Sequence, residues 1–529
     1  MPSTRACRLS CGPDGLTLDG PATAAFGYAY SEAVDFGREE VGGYNASLSA
    51  YLADVRDAGE LARRLAPLSG VFGGWHFDGE ALHVFSDHLG FWPVLVRFRE
   101  NAVHVATRLA PLLDASGLTP KPDLRQRAFF REHGHYSASG TAYEGIHQIW
   151  GGHVYTVDAD LAVSERAYVD WGFVGRDVPR SGEEMARRTW DYLRAAAERY
   201  AGHAETVVVP LSGGLDSRQL AAAAVAAGLP RLRAFTYGDA ASADVRVART
   251  VSTALDLPLT HYAYDYGAWR AEADAYIAET EGFVSPAFLI PPRAALDDIG
   301  AGECLLSGAA GNISLGGYGE AFSLEALMGL VLAEPPDAAP SPFPLPRAVT
   351  SIADAAYRRE LLGQVVRSRR LVTSGALQGT HARYRMPLLE WGLLRLVCGQ
   401  PHTLRSGRHF QRDVGRRHFP PALLAVPLAQ DGRRLDESRF TLRSAFRSLR
   451  YRVALAFGHD LSPDFLNRAE VWRRHGPAIR AVTEAYEAGR ANAQDVGHDR
   501  DDVRAEDEAY IGDDAMFAWL HRYALARSL

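Results

Sequence analysis

Ser212-Gly213-Gly214-Leu215-Asp216-Ser217 places two hydroxyls, two glycines and one carboxylate within six positions. The glycines permit a tight turn and leave no side chain in the path of an approaching anion. Ser212 and Ser217 can donate hydroxyls to that anion. Asp216 repels a phosphate by itself, and it makes sense where a divalent cation bridges the two. The chemistry these residues suggest is a grip on phosphate through backbone N–H groups, hydroxyls and a metal-bridged carboxylate.

Two elements must hold the loop. Val207 to Val209 is a short apolar run, the signal of a buried strand. The Ala-rich stretch Gln219 to Ala227 reads as a helix stopped by Gly228. A strand–loop–helix unit sets the loop at a helix start, where unpaired N–H groups and the positive dipole end favour anions. The plain alternative is an ordinary glycine-rich turn.

The SGGLDS loop resembles the pyrophosphate-binding loop of the ATP pyrophosphatase (PP-loop) superfamily. The longer match is to its asparagine-synthetase-like family. A nucleotide loop ending in GKS or GKT is not found. The resemblance implies ATP and Mg²⁺ as cofactors, a carboxylate activated as its adenylate, and pyrophosphate released.

Composition bounds the rest. A chain of 529 residues, 47% apolar and 23% charged, reads as globular with two domains. The net charge of −7 and the absence of a long basic run point away from nucleic acid. Cys7, Cys11, Cys304 and Cys398 fit neither a zinc spacing nor a disulfide framework, so a reducing, cytoplasmic setting is expected. No signal-peptide core or membrane-spanning run is seen, so no membrane partner is expected. Lys121 is the only lysine.

The expected fold is α/β with two domains. Residues 1–176 alternate as strands (Ala81 to Ser86, Pro93 to Phe98, Ala102 to Thr107, His153 to Val157). Leu68-Ser69-Gly70-Val71-Phe72, Asp87-His88-Leu89-Gly90-Phe91-Trp92-Pro93, Tyr143-Glu144-Gly145-Ile146 and Gly151-Gly152-His153 resemble the glutaminase-type domain at the front of asparagine synthetases. The resemblance implies an Ntn-hydrolase-like sandwich. That family's nucleophile is a cysteine just after the initiator methionine; here position 2 is Pro2, and the nearest cysteine is Cys7. A scaffold without glutamine hydrolysis is expected. Residues 184–529 alternate strands (Leu232 to Tyr237, Leu259 to Tyr264, Cys304 to Ser307) with helices (Glu184 to Tyr200, Asp244 to Leu255), which implies a parallel sheet, and helices dominate after Ser351. Pro335 to Pro346 reads as a surface loop.

The resemblance runs from about Leu68 to about Gly432 and carries further site residues, Leu211 among them. Phe235-Thr236-Tyr237 falls where the family's second strand contacts adenine. Asp244 is either a helix cap or surface carboxylate or a functional acid, and His261 either a strand-end residue or a catalyst. Leu305 to Tyr318 resembles the family's second signature, with Ser307 and Gly308 keeping the nucleotide-facing turn. Ala309 stands at a catalytic glutamate position, Asn312 at that of a metal-binding aspartate and Ile313 at the adjoining acid. Asparagine ligates Mg²⁺ through a carbonyl only, so weaker metal binding is expected. Arg385-Met386-Pro387-Leu388-Leu389-Glu390 resembles another family turn. The loop Val426 to Gly432 lacks the family's lysine, and its nearest cations are Arg433 and Arg434, which either clamp a phosphate or are surface charges.

The expected function is ATP-dependent amide formation on a small-molecule or peptide carboxylate by ammonia or a substrate amine. Specialised metabolism fits, since the resemblance extends to lasso-peptide cyclases and β-lactam synthetases. The alternative is a non-catalytic nucleotide-binding or scaffolding relative. Homodimerisation is left open.

Overall fold

The computed structural model describes residues 6–311 except 13–14, 32–33, 38–43, 118–119, 138, 174–180, 203, 230, 287–290, 301 and 310; it also describes 341–344, 352, 358, 362, 383–401, 404, 409–429, 432–435, 468–487 and 513–527.

The front part alternates apolar and polar residues as strands β1 (Ala6–Gly12), β2 (Gly15–Asp19), β3 (Thr23–Tyr30), β4 (Asp35–Phe36), β5 (Ser69–Phe77), β6 (Leu82–Ser86), β7 (Leu95–Arg99), β8 (Ala102–Ala106), β9 (Ile146–Gln148), β10 (His153–Val157) and β11 (Val163–Ala167). They form two antiparallel sheets, ordered β2-β1-β8-β7-β9 and β11-β10-β6-β5-β3-β4. Inward residues of both, such as Leu9, Val103 and Val105 from one and Phe26, Val71 and Val84 from the other, share one buried cluster. Helices α1 (Ala46–Leu52), α2 (Ala58–Leu65), α3 (Leu109–Ser116) and α4 (Leu124–His133) flank them.

The second part opens with α5 (Gly182–Ala201), whose charged sequence suggests a solvated helix. It nonetheless buries Met185, Trp190, Leu193 and Tyr200 along one face. Strand and helix then alternate through β12 (Thr206–Pro210), α6 (Leu215–Ala226), β13 (Leu232–Tyr237), α7 (Ala243–Ala254), β14 (Leu259–Tyr262), α8 (Trp269–Glu279), α9 (Arg293–Asp297), β15 (Glu303–Leu306) and β16 (Arg383–Arg385). The five strands are parallel, in the order β14-β13-β12-β15-β16. The chain steps outward from β12 to β14 and then returns to β15 on the other side. That reversal opens a crevice at the carboxyl ends of β12 and β15. Helices α10 (Trp391–Cys398), α11 (His409–His418), α12 (Pro421–Leu424), α13 (Arg468–Glu487) and α14 (Asp513–Arg527) follow.

The two parts are joined through buried side chains. Arg385 is 1% exposed, stacks 4.3 Å over the Tyr28 ring, and donates to the Tyr30 hydroxyl at 3.1 Å and to the Gly37 carbonyl. Glu390 accepts from Ser69 Oγ at 3.1 Å and from Arg199 at 2.8 Å. The turn at 385–390 therefore clamps the parallel sheet to the front sheets. The proline-rich stretch departs from its reading where it is described. Phe343 is fully buried against Phe98, His147 and Tyr155, and Trp150 Nε1 donates to its carbonyl at 3.0 Å. An apolar ring between two prolines is a plug, and burying it outweighs the polar character of its flanks. The remainder of 335–346 lies outside the described residues. No described helix is long and apolar enough to cross a membrane.

Candidate active site

The 212–217 loop leaves β12 at the crevice, as its sequence predicts. Val207, Val208 and Val209 are buried, and α6 starts at Leu215, four residues before the Ala-rich run. Its small alanines bury this helix on nearly every side, so it sits close against β12 and α5.

Within the loop the hydroxyls of Ser212 and Ser217 share a hydrogen bond of 2.9 Å, which fixes both on one side. The expectation of unpaired loop N–H groups is corrected in part. The Ser212 N–H donates to Ser217 Oγ at 3.1 Å, Gly214 to Ser212 Oγ at 3.2 Å, and Gly213 to Asp244 Oδ1 at 2.6 Å. A tight turn brings its own serines, and the first turn of α7, within reach of these donors. The N-cap Gly214 contributes no side-chain cap, so the first turn of α6 keeps its dipole end uncapped by a side chain.

Asp244 is therefore neither a cap nor a surface group. Ser242 caps α7, and Asp244, 8% exposed, is spent on the loop backbone. His261 is a strand-end residue: its ring nitrogens lie 3.0 Å from the Gly238 carbonyl and 3.2 Å from Arg249.

Two further loops close on the first. The 307–311 turn lies directly over it: a Cβ at Gly308 would come within 2.9 Å of the Ser217 backbone, and one at Gly311 would overlap the Asp216 carboxylate. Both positions require glycine for that approach. Ser307 is held by the Tyr384 hydroxyl, which donates to Ser307 Oγ at 2.8 Å, and the Ser307 N–H donates to the Arg385 carbonyl at 2.8 Å. Ala309 carries no acid. Asn312 and Ile313 lie outside the described residues.

The third loop is 426–435, described at 426–429 and 432–435. The Ala429 N–H donates to the Gly213 carbonyl at 3.2 Å, and Leu428 and Arg433 close a turn in which Gly432 takes φ 65°. Arg433 and Arg434 are half-buried on this loop. Arg218, fully buried on α6, donates to the carbonyls of Val426 at 2.7 Å and Pro427 at 2.9 Å.

The sequence reading misses Gln411. It is 1% exposed on α11, and its amide donates to Asp216 Oδ1 at 2.5 Å. Nothing in its local sequence marks it; only a distant helix brought back beside the loop does so. Leu211, Phe235, Thr236 and Tyr237 line the neighbouring strand end, where the Leu211 N–H donates to the Phe235 carbonyl at 2.8 Å. Burial raises the Tyr384 hydroxyl pKa, and it pushes that of Tyr237 up, so both stay protonated donors. Among the described residues no group of three or more His, Cys, Asp or Glu side chains could hold a metal. Asp216 therefore offers one carboxylate, which suits Mg²⁺ only if phosphate oxygens supply other ligands.

A glycine-rich loop thus lies at the switch point of a parallel sheet, faced by two further loops, in an α/β domain. Residues 190–378 match the family model described as asparagine synthase. The match supports ATP-dependent amidation as its general chemistry. No curated protein matches the chain. Among solved structures the chain is similar to the "allosteric regulatory enzyme of purine biosynthesis", at 13% identity over 39% of this chain and 49% of that one, with a TM-score of 0.15. It is also similar to glutamine phosphoribosylpyrophosphate amidotransferase from B. subtilis complexed with ADP and GMP, at 12% identity over 39% and 50%, with a TM-score of 0.15. The chain thus spans about half the length of each.

Proposed function

We propose that this protein forms an amide bond at the expense of ATP, without hydrolysing glutamine. The convergence of the 212–217, 307–311 and 426–435 loops on one crevice carries this reading. A carboxylate oxygen of the substrate attacks the α-phosphorus, and the bond to pyrophosphate breaks. An amine or ammonia then attacks the acyl carbon, the bond to AMP breaks, and the amine's proton passes to solvent.

Ser212, Ser217 and the first turn of α6 hold the departing pyrophosphate. A magnesium ion, held by Asp216 and by Asn312 as a weaker partner, would neutralise phosphate charge. Phe235, Thr236 and Tyr237 bound the base side, with Ser307 and Gly308 opposite. Arg433 and Arg434, on the 426–435 loop, are the candidate cations for clamping the reacting phosphate. Cys7 supports the absence of glutamine hydrolysis. It is buried inside β1, paired with Val105, and burial raises its thiol pKa further from the thiolate that attack requires. The substrate is a specialised metabolite or peptide carboxylate.

The bond from Gly213 to Asp244 favours a second reading, a loop that binds nucleotide without turning it over. ATP–pyrophosphate exchange with a panel of carboxylates separates the two. Exchange with at least one acid, followed by AMP release with an amine, is expected. Nucleotide binding with neither exchange nor AMP release would leave the non-catalytic reading. No calorimetric heat at millimolar nucleotide, with magnesium or manganese, would remove both.

A further inference from the structure

We infer that Arg218 is the built-in counter-charge of the 212–217 loop, a positioning residue whose electrostatic partner is the phosphate of the bound ligand. This rests on the phosphate-binding reading above. Arg218 follows Ser217 directly, on the opening turns of α6, and its side chain is fully buried. Two nitrogens of its guanidinium are satisfied by main-chain carbonyls, at Val426 and Pro427. Its Nε has no hydrogen-bond partner, and no carboxylate lies within ion-pair distance among the described residues. Asp216 and Asp244 accept from Gln411 and from the Gly213 N–H, and neither acts on the Arg218 charge, whose shift has burial as its sole cause.

A cation buried without a counterion is costly, and natural interiors rarely keep one unless something pairs with it. The carbonyls of Val426 and Pro427 offset part of that cost through their dipoles but carry no net charge. Burial alone depresses the Arg218 pKa, to about 10, which leaves the group charged at neutral pH. The charge is carried on the opening turns of α6, whose start has no side-chain cap, and both fields would add for a phosphate bound there. The single lysine cannot substitute, because Lys121 is exposed and paired with Glu144 at 2.8 Å. Arg218 also ties the 426–427 stretch to α6, so charge and tether must be separated by experiment.

Inorganic pyrophosphate with Mg²⁺ is the charged probe, and adenosine is the uncharged one. Calorimetry on the full chain compares wild type, Arg218→Lys and Arg218→Gln. A counter-charge predicts that Arg218→Gln weakens pyrophosphate about 10- to 100-fold and adenosine less than about twofold. Arg218→Lys should keep pyrophosphate within about fivefold. Equal losses for both probes, or no loss for either, would show that Arg218 is only a tether. If Arg218→Gln does not fold, Arg218→Lys decides. A tether needing both guanidinium forks predicts that it loses adenosine and pyrophosphate alike. Wild type that binds neither probe would instead overturn the phosphate-binding reading itself.

Discussion

The glycine-bearing turns at Asp87 and Asp216 differ in where their polar atoms go. Around Asp87 every bond turns inward. Its Oδ1 accepts from the N–H groups of Leu89, Gly90 and Phe91, and its Oδ2 from Trp92. Gly151 lies so close over Gly90 that a Cβ there would overlap the backbone, and the Gly152 N–H donates to the Asp87 carbonyl at 2.9 Å. At Asp216 one oxygen is held by Gln411 while the loop faces a crevice. The first turn uses its carboxylate to shape the chain, and the second turns its carboxylate to a side-chain amide from a distant helix, where the proposed function would use it. Both resemble motifs of the same family, so resemblance alone does not separate scaffold from site. The direction of the hydrogen bonds does.

The sharpest test of that contrast is Asp87→Ala. It leaves the buried N–H groups of Leu89, Phe91 and Trp92 without an acceptor, while Gly90 keeps the Asp87 carbonyl, so at roughly 1 kcal/mol each or more denaturant unfolding should show a loss of about 3 kcal/mol. A loss under about 1 kcal/mol would break the contrast.

Acid is the next largest probe. Burial holds His88, His104 and His147 down to about 4, against 6.5 in the unfolded chain. His147 owes its shift to desolvation first, with Asp123 opposing it weakly. Between pH 6.5 and 4 the unfolded chain therefore binds more protons at these sites, and stability falls as pH drops through that window. Asp87 acts in the opposite sense. Burial pushes its pKa up to about 6, so the folded form binds the extra proton between about 4 and 6 and cancels about one histidine. These four groups together should take up about two protons on unfolding near pH 5, and His88 alone should remove about 3 kcal/mol by pH 4. All three histidines lie in the front part, and the described site loops hold no comparable group. Thermal unfolding in buffers of different ionisation heat measures the uptake, and a value near zero would contradict it.

Asp216→Ala tests the other turn. Magnesium-dependent ATP affinity should fall about 100-fold while the melting temperature moves little, the reverse of the Asp87 result. Equal ATP affinity in the variant would mean that the carboxylate is idle.

The strands of the parallel sheet are legible in the sequence because each is a short apolar run between helical stretches. The run Leu232 to Tyr237 coincides with β13 to the residue, and Val207 to Val209 marks β12 within one position at each end. The 212–217 loop is legible because its chemistry is local. What is not legible depends on distance along the chain. Asp244 meets Gly213 across 31 residues, Gln411 meets Asp216 across 195, and Phe343 enters the front sheets far from its sequence neighbours. Strands β1 and β2 also escape the sequence reading, since ACRLSCG and GLTLD are weakly patterned and owe their pairing to β8 and to each other. Propensity reports the chain's own preference, and these contacts are made by tertiary partners.

Gln411 provides the finest test of the comparison, because it separates a carboxylate that is merely present from one that is aimed. An amide donor fixes which oxygen of Asp216 is occupied, and in the proposed function the other would meet the cation. Gln411→Leu removes that constraint without altering any charge, so the carboxylate gains freedom to turn away or to fold back on its own helix. Loss of an orienting partner of this kind costs about 10-fold in metal affinity. The expected result is a weaker Mn²⁺ response in ATP binding, by about tenfold, with metal-free nucleotide binding unchanged. Gln411→Glu should do more harm at neutral pH than Gln411→Leu, since it sets a second carboxylate where the amide now lies 2.5 Å from Asp216 Oδ1. Equal manganese titrations for all three proteins would show that the Gln411 amide only fills space beside Asp216, and the distinction drawn between the two turns would then rest on Asp216 alone.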